Sequence, residues 1–147
     1  MTEVAEVATG LECSVRLRVR YPETDRMGVA YHAHYLVWFE LGRTEWMRER
    51  GVDYGTLEER DGIFFPVVEA SVRYRRSATY DDELVVRTRL REVGASRVRF
   101  EYTLLRERDD ETLATAFTQH AAVGRTGRPM RLPAGLRRTL IDGRSCT

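Results

Sequence analysis

Between Tyr21 and Tyr35 the chain reads Tyr-Pro-Glu-Thr-Asp-Arg-Met-Gly-Val-Ala-Tyr-His-Ala-His-Tyr. This gathers a carboxylate (Asp25), a glycine (Gly28) and a His-x-His pair (His32, His34) at the start of an apolar stretch of helical character. The first amides of a helix have no partner within it and the dipole places positive charge at that end, so a developing oxyanion is favoured there. A carbonyl could be polarised in that place without a metal, while Asp25 acts on water or on the carbonyl carbon itself. Asp at such a position also serves as a plain cap or turn residue, and spacing alone favours that role. His32 reads as a polar residue at a helix start whose main chain matters more than its ring, although the ring could orient Asp25 or contact substrate. His34 and His120 share no ligand set with any Cys or carboxylate, so both read as structural and no metal is expected.

These residues need elements to hold them. Ser14 to Tyr21 alternates, with Val15, Leu17, Val19 and Tyr21 on one side and Arg16, Arg18 and Arg20 on the other, which predicts a half-buried strand. Pro22, Thr24, Asp25 and Gly28 break the alternation into a loop. From His32 to Arg50 the pattern is helical and apolar at Leu36, Val37, Trp38, Phe39, Leu41, Trp46 and Met47, too broadly for a narrow stripe, so the helix is expected to be covered on most sides. Gly51 stops it, and Asp53 is placed to cap a short second helix. Along that long helix Glu40, Arg43 and Glu45 are spaced for a buried ion-pair network.

The remainder reads as strands: Ile63 to Arg76 with a bulge or edge position at Pro66, Glu83 to Val93, Arg97 to Arg106, and Thr112 to Val123, with turns at Gly94-Ala95 and Asp109-Asp110. Leu132-Pro133 leads into a short C-terminal helix. Consecutive hairpins make an antiparallel meander, and the economical way to bury one long apolar helix is to wrap that curved sheet around it, an α+β fold. A tail over 1–13 and one domain over 14–142 are expected.

Composition narrows the function. The chain has 147 residues, enough for one core, and its net charge of +1 disfavours nucleic acid as a partner. All 24 basic residues are Arg, so Lys-based chemistry is excluded. Cys13 and Cys146 lack metal or redox spacing. There is no signal-peptide pattern, no apolar run of membrane-spanning length and no GxSxG nucleophile motif, so a cytoplasmic protein without membrane insertion is expected.

The loop and helix together resemble the active-site segment of the hotdog-fold thioesterases akin to 4-hydroxybenzoyl-CoA thioesterase and to the Tol-Pal-associated acyl-CoA thioesterases. The resemblance is carried by Tyr21, Glu23-Thr24-Asp25, Gly28, Tyr31-His32, Tyr35, Phe39-Glu40 and Arg43-Thr44-Glu45, and extends more weakly to Gly127-Arg128-Pro129. His34 departs from it, since relatives commonly have Asn there, which puts the side-chain contacts of that turn in question. The resemblance implies a hotdog fold and hydrolysis of acyl-CoA or aryl-CoA. It implies Asp25 as catalytic base or nucleophile and the backbone N–H at His32 as oxyanion donor. Substrate contacts are expected from Gly28, Val29, Tyr31, Tyr35 and Glu40, and Trp38 and Phe39 are either pocket or plain core.

Glu40 has a rival reading, because other branches of the superfamily carry their catalytic carboxylate on this helix. No cofactor is expected, coenzyme A being part of the substrate, and the assembly implied is a homodimer or homotetramer. Arg73, Arg75, Arg76, Arg97 and Arg99 are candidates for the CoA phosphates, against the plainer reading of a solvated strand face. Two alternatives remain on the same fold: a non-hydrolytic protein that binds acyl-carrier protein or acyl chains, and a hydratase.

Overall fold

The computed structural model describes residues 4–6 and 12–142; Cys146 lies outside them. Strands β1 (Val4–Glu6) and β2 (Glu12–Arg18) are followed by a 3-10 turn at Tyr21–Glu23 and by helix α1 (His34–Glu49). A short helix α2 (Tyr54–Thr56) continues into a π turn at Leu57–Asp61. Then come β3 (Val67–Tyr74), β4 (Glu83–Gly94), β5 (Arg97–Arg106), β6 (Glu111–Ala121) and helix α3 (Ala134–Asp142). Asp53 caps α2 as expected, its carboxylate accepting from the Thr56 amide at 3.1 Å.

All strands pair antiparallel in one sheet. β4, β5 and β6 form the meander, β1 and β2 share the outer edge of β4, and β3 crosses to the far edge beside β6. Period-two alternation decides the faces. Leu84, Val86, Thr88 and Leu90 of β4 and Val98, Phe100, Tyr102 and Leu104 of β5 point inward and are buried. Onto them pack Trp38, Phe39, Trp46 and Met47 of α1, so the expected curved sheet wrapped around a central helix is what forms. The closest approach is at Gly42: a methyl there would collide with Thr88 Oγ1 and with Val86 Cγ1 at 2.7 Å. The bulge expected near Pro66 falls between Val67 and Glu69, at the start of edge strand β3.

Two expectations need correction. Helix α1 is not covered on most sides within one chain: Leu36, Val37 and Leu41 are 40%, 49% and 48% exposed on its outer face. Nor do Glu40, Arg43 and Glu45 form a buried ion-pair network. Arg43 is buried, but its guanidinium donates to the Tyr102 hydroxyl at 3.1 Å, while Glu45 pairs with Arg48 and Glu40 faces out. The sheet behind Arg43 supplies neutral acceptors instead. Tyr102 bonds Thr118, which bonds Nε2 of His120, whose Nδ1 meets the Phe65 carbonyl at 3.0 Å.

Candidate active site

After β2 the chain drops off the sheet edge at buried Val19, and Glu23 pins the loop that follows. The Glu23 side chain is 4% exposed. It accepts from the Arg20 amide at 2.7 Å and from the Trp38 indole Nε1 at 3.0 Å, which ties the loop to the second turn of α1. Burial alone would raise this carboxyl, but those two bonds and the Arg20 guanidinium outweigh it and hold the group below the usual carboxylate range.

Asp25 then closes a tight turn. Its amide donates to the Val29 carbonyl at 2.9 Å, its carbonyl accepts from Gly28 at 3.0 Å, and its Oδ1 accepts from the Met27 amide at 2.8 Å. Gly28 sits at φ 79°, a left-handed conformation that glycine adopts without strain. Oδ2 of Asp25 has no partner among the described residues. The loop is held from beneath by the segment after β3, with Ala30 donating to the Ala78 carbonyl at 2.8 Å and Val29 bridging to Thr79.

The start of α1 is uncapped. Ala33 occupies the cap position, which leaves no side chain to satisfy the helix amides. Among the described residues the amides of His32 and Ala33 have no acceptor, whereas Tyr31, His34 and Tyr35 all donate to backbone carbonyls.

A cavity of about 270 Å³ opens at this place. One wall is Asp25, Val29, Ala30, His32 and Tyr35; the other is Tyr74 to Ser77, the end of β3 and the residues after it. Two phenols join the walls. Tyr74 donates to the His32 carbonyl at 2.8 Å, and Tyr35 accepts from the Ala78 amide at 3.1 Å, the two rings lying 4.9 Å apart. Burial raises both phenols, so both stay protonated near neutral pH. Arg76 is held by Glu111 at 3.1 Å, and Arg75 has no ionic partner among the described residues.

Of the expected site residues, Asp25, Val29, His32 and Tyr35 thus share one cleft. Gly28 shapes the turn without lining the cavity, and Tyr31, 46% exposed, lies outside it with its ring tilted against that of His32, the centroids 4.5 Å apart. Glu40 lies apart on the exposed face of α1. Arg75 and Arg76 reach the cleft while Arg73 and Arg99 face the outside of the sheet. Sequence reading missed Tyr74 and the anchoring role of Glu23. Among the described residues no cluster of three His, Cys, Asp or Glu could hold a metal.

The chemistry available is a carboxylate with one free oxygen beside unpaired helix amides, a combination suited to adding water to an activated carbonyl. Comparison with known families decides which one carries it here: residues 19–140 match the Thioesterase-like superfamily. The chain belongs to that superfamily. Among its relatives, the Bacillus subtilis protein YneP is 37% identical over 86 residues, 58% of this chain and 62% of that protein. The acyl-CoA thioesterase YbgC of Haemophilus influenzae is 40% identical over 93 residues, 63% of this chain and 68% of YbgC. The crystal structure of the DHNA-CoA thioesterase from Staphylococcus aureus superposes with a TM-score of 0.79 at 31% identity, covering 82% of this chain and 80% of that one. The fold is the hotdog fold of these thioesterases, and the matched span contains the whole Asp25 loop, α1 and the meander.

Proposed function

We propose that this chain hydrolyses acyl-CoA or aryl-CoA to the free acid and CoA, with the Asp25 carboxylate as base or nucleophile and the His32 amide as oxyanion donor. The observation that carries the reading is the juxtaposition in one cleft of Asp25, with a carboxylate oxygen that has no partner among the described residues, and His32, whose amide has no acceptor among them. A thioester oxygen seated against the amides of His32 and Ala33 would bring its carbonyl carbon toward Asp25. As base, Asp25 takes a proton from the attacking water; as nucleophile it forms a mixed anhydride that water then opens. Tyr35 and Val29 lie where the acyl group would rest. Arg75, which lines the cleft and has no ionic partner among the described residues, would meet a phosphate of the CoA arm. No cofactor is called for.

The functional unit in this reading is a homo-oligomer in the cytoplasm. β3 is an edge strand exposed along nearly its whole length, with Val67 and Val68 each 50% exposed, and α1 exposes Leu36, Val37 and Leu41. Edges and apolar faces of this kind invite a second copy. Because the end of β3 is also a wall of the cleft, pairing there would deepen the site. Light scattering distinguishes dimer from tetramer.

Thiol release from a panel of acyl- and aryl-CoA esters tests the activity. The names of the relatives span general acyl-CoA and the aromatic DHNA-CoA, so kcat/KM across both classes selects the acyl group. Binding of every ester without release of thiol would overturn hydrolysis in favour of a carrier or binding role.

A further inference from the structure

The far end of the sheet holds a second cavity with a different chemistry. It has a volume of about 450 Å³ and lies between one face of α3 and the β4–β5 hairpin tip at Ala95. Its polar wall is Arg131, Arg137 and Arg138, against a single carboxylate, Asp142; its floor is Leu132 and Ile141. Ala134, Arg137, Arg138, Ile141 and Asp142 fall on that one face through the three- and four-residue repeat of the helix. The placement is fixed locally, since Leu132 donates to the Ala95 carbonyl at 2.7 Å and Arg137 to the Pro133 carbonyl at 3.0 Å.

None of the three guanidiniums has an ionic partner among the described residues. Arg131 and Arg138 are exposed. Arg137 is partly buried, its Nε closed off from solvent without an acceptor and its Nη2 reaching the Val93 carbonyl only at 3.5 Å. Several arginines elsewhere are balanced, Arg18 by Asp81 and Glu83, Arg76 by Glu111, Arg89 by Glu101 and Arg106 by Asp109. Three like charges gathered in one concavity repel one another, and a polyanion seated among them would convert that cost into binding.

We propose that this cavity binds a phosphoryl anion, held by Arg131, Arg137 and Arg138. Guanidinium forks match phosphate oxygens two at a time, and the volume falls within the range of small-ligand sites. The site is separate from the Asp25 cleft of the same chain: Ala95 follows the last residue of β4 and the Asp25 loop is bonded to the segment preceding its first. A strand of 12 residues spans about 36 Å. The anion is therefore either a free phosphate compound or the phosphates of a CoA ester held by another subunit.

Isothermal titration of the full chain with inorganic phosphate, pyrophosphate, CoA and dephospho-CoA tests this without requiring turnover. The comparison is the Arg131→Gln/Arg138→Gln double variant, whose exposed side chains leave the melting temperature unchanged. We expect at least one probe to bind the wild type and to bind the double variant at least tenfold more weakly, with Arg137→Lys retaining part of the affinity. Tighter binding of CoA than of dephospho-CoA, with a raised KM in the double variant, identifies the source as CoA. Binding of pyrophosphate with KM unchanged identifies a free phosphate compound. Absence of binding by all four probes, or equal affinity in the double variant, overturns the site, and neither result bears on hydrolysis at Asp25.

Discussion

The Tyr74 hydroxyl donates to the His32 carbonyl at 2.8 Å, so the last residue of β3 braces the residue whose amide is the proposed oxyanion donor, through the peptide that it shares with Ala33. Removing that bond leaves the His32 carbonyl only the longer contact from the Tyr35 amide at 3.4 Å, and the turn that aims the His32 and Ala33 amides is held less firmly. Tyr74→Phe should therefore lower kcat about three- to tenfold with little change in KM, in line with roughly 1 kcal/mol for one such bond. Steady-state thiol release separates the two parameters, and an unchanged kcat would remove Tyr74 from the positioning role.

Asp25→Asn keeps the turn, because the amide oxygen still accepts from Met27, and removes the charge. The expected loss is on the order of 10²-fold or more in kcat/KM, the scale of a general base. Circular dichroism should be superimposable on the wild type. Full activity in a folded Asp25→Asn protein would move the chemistry elsewhere, Glu40 being the next carboxylate to test.

Stability should fall on the acid side, and His120 sets most of the window. Burial is the largest cause of its lowering to about 4, from 6.5, so the folded protein keeps it neutral. Between those values the unfolded chain binds a proton that the folded chain does not. Stability is thus fully present above 6.5 and declines as pH falls toward 4, by a total on the order of 3 kcal/mol. Glu23 adds a further loss in the same direction, since its folded carboxyl titrates below the ordinary 4.5. Chemical denaturation at stepped pH should show the slope, and His120→Gln should flatten it above pH 5.

At Gly42 the helix rests directly on Thr88 and Val86. Gly42→Ala forces the two apart and should cost about 1–3 kcal/mol, as overpacked cores do. A drop of several degrees in Tm checks it; a neutral substitution would mean that the Thr88 and Val86 side chains rotate away freely.

The sequence was informative where local rules govern. Period-two alternation places β4 and β5 almost to the residue, Gly51 stops α1 close to its end, and the Asp25 to Tyr35 loop announces its chemistry by residue type and offset. What it could not show depends on partners distant in sequence. Tyr74 reads as an ordinary strand aromatic until strand order puts β3 on the far edge and its end against His32. Arg43 looked paired because Glu40 and Glu45 lie at helical spacing, yet the inner sheet face offers Tyr102, nearly sixty residues away. Leu36, Val37 and Leu41 signal burial correctly only if the surface that covers them comes from outside the chain.

The crossing of β3 to the edge beside β6 also has a kinetic consequence. The register pairs Tyr74 with Ala114, forty residues onward, while the β4–β5 and β5–β6 hairpins close through short turns. Loop closure favours the short connections first, so the meander can form while one wall of the cleft is still missing. On dilution from denaturant, strand content should recover ahead of thiol release, and a chain stalled between those events would be a sheet without an active site.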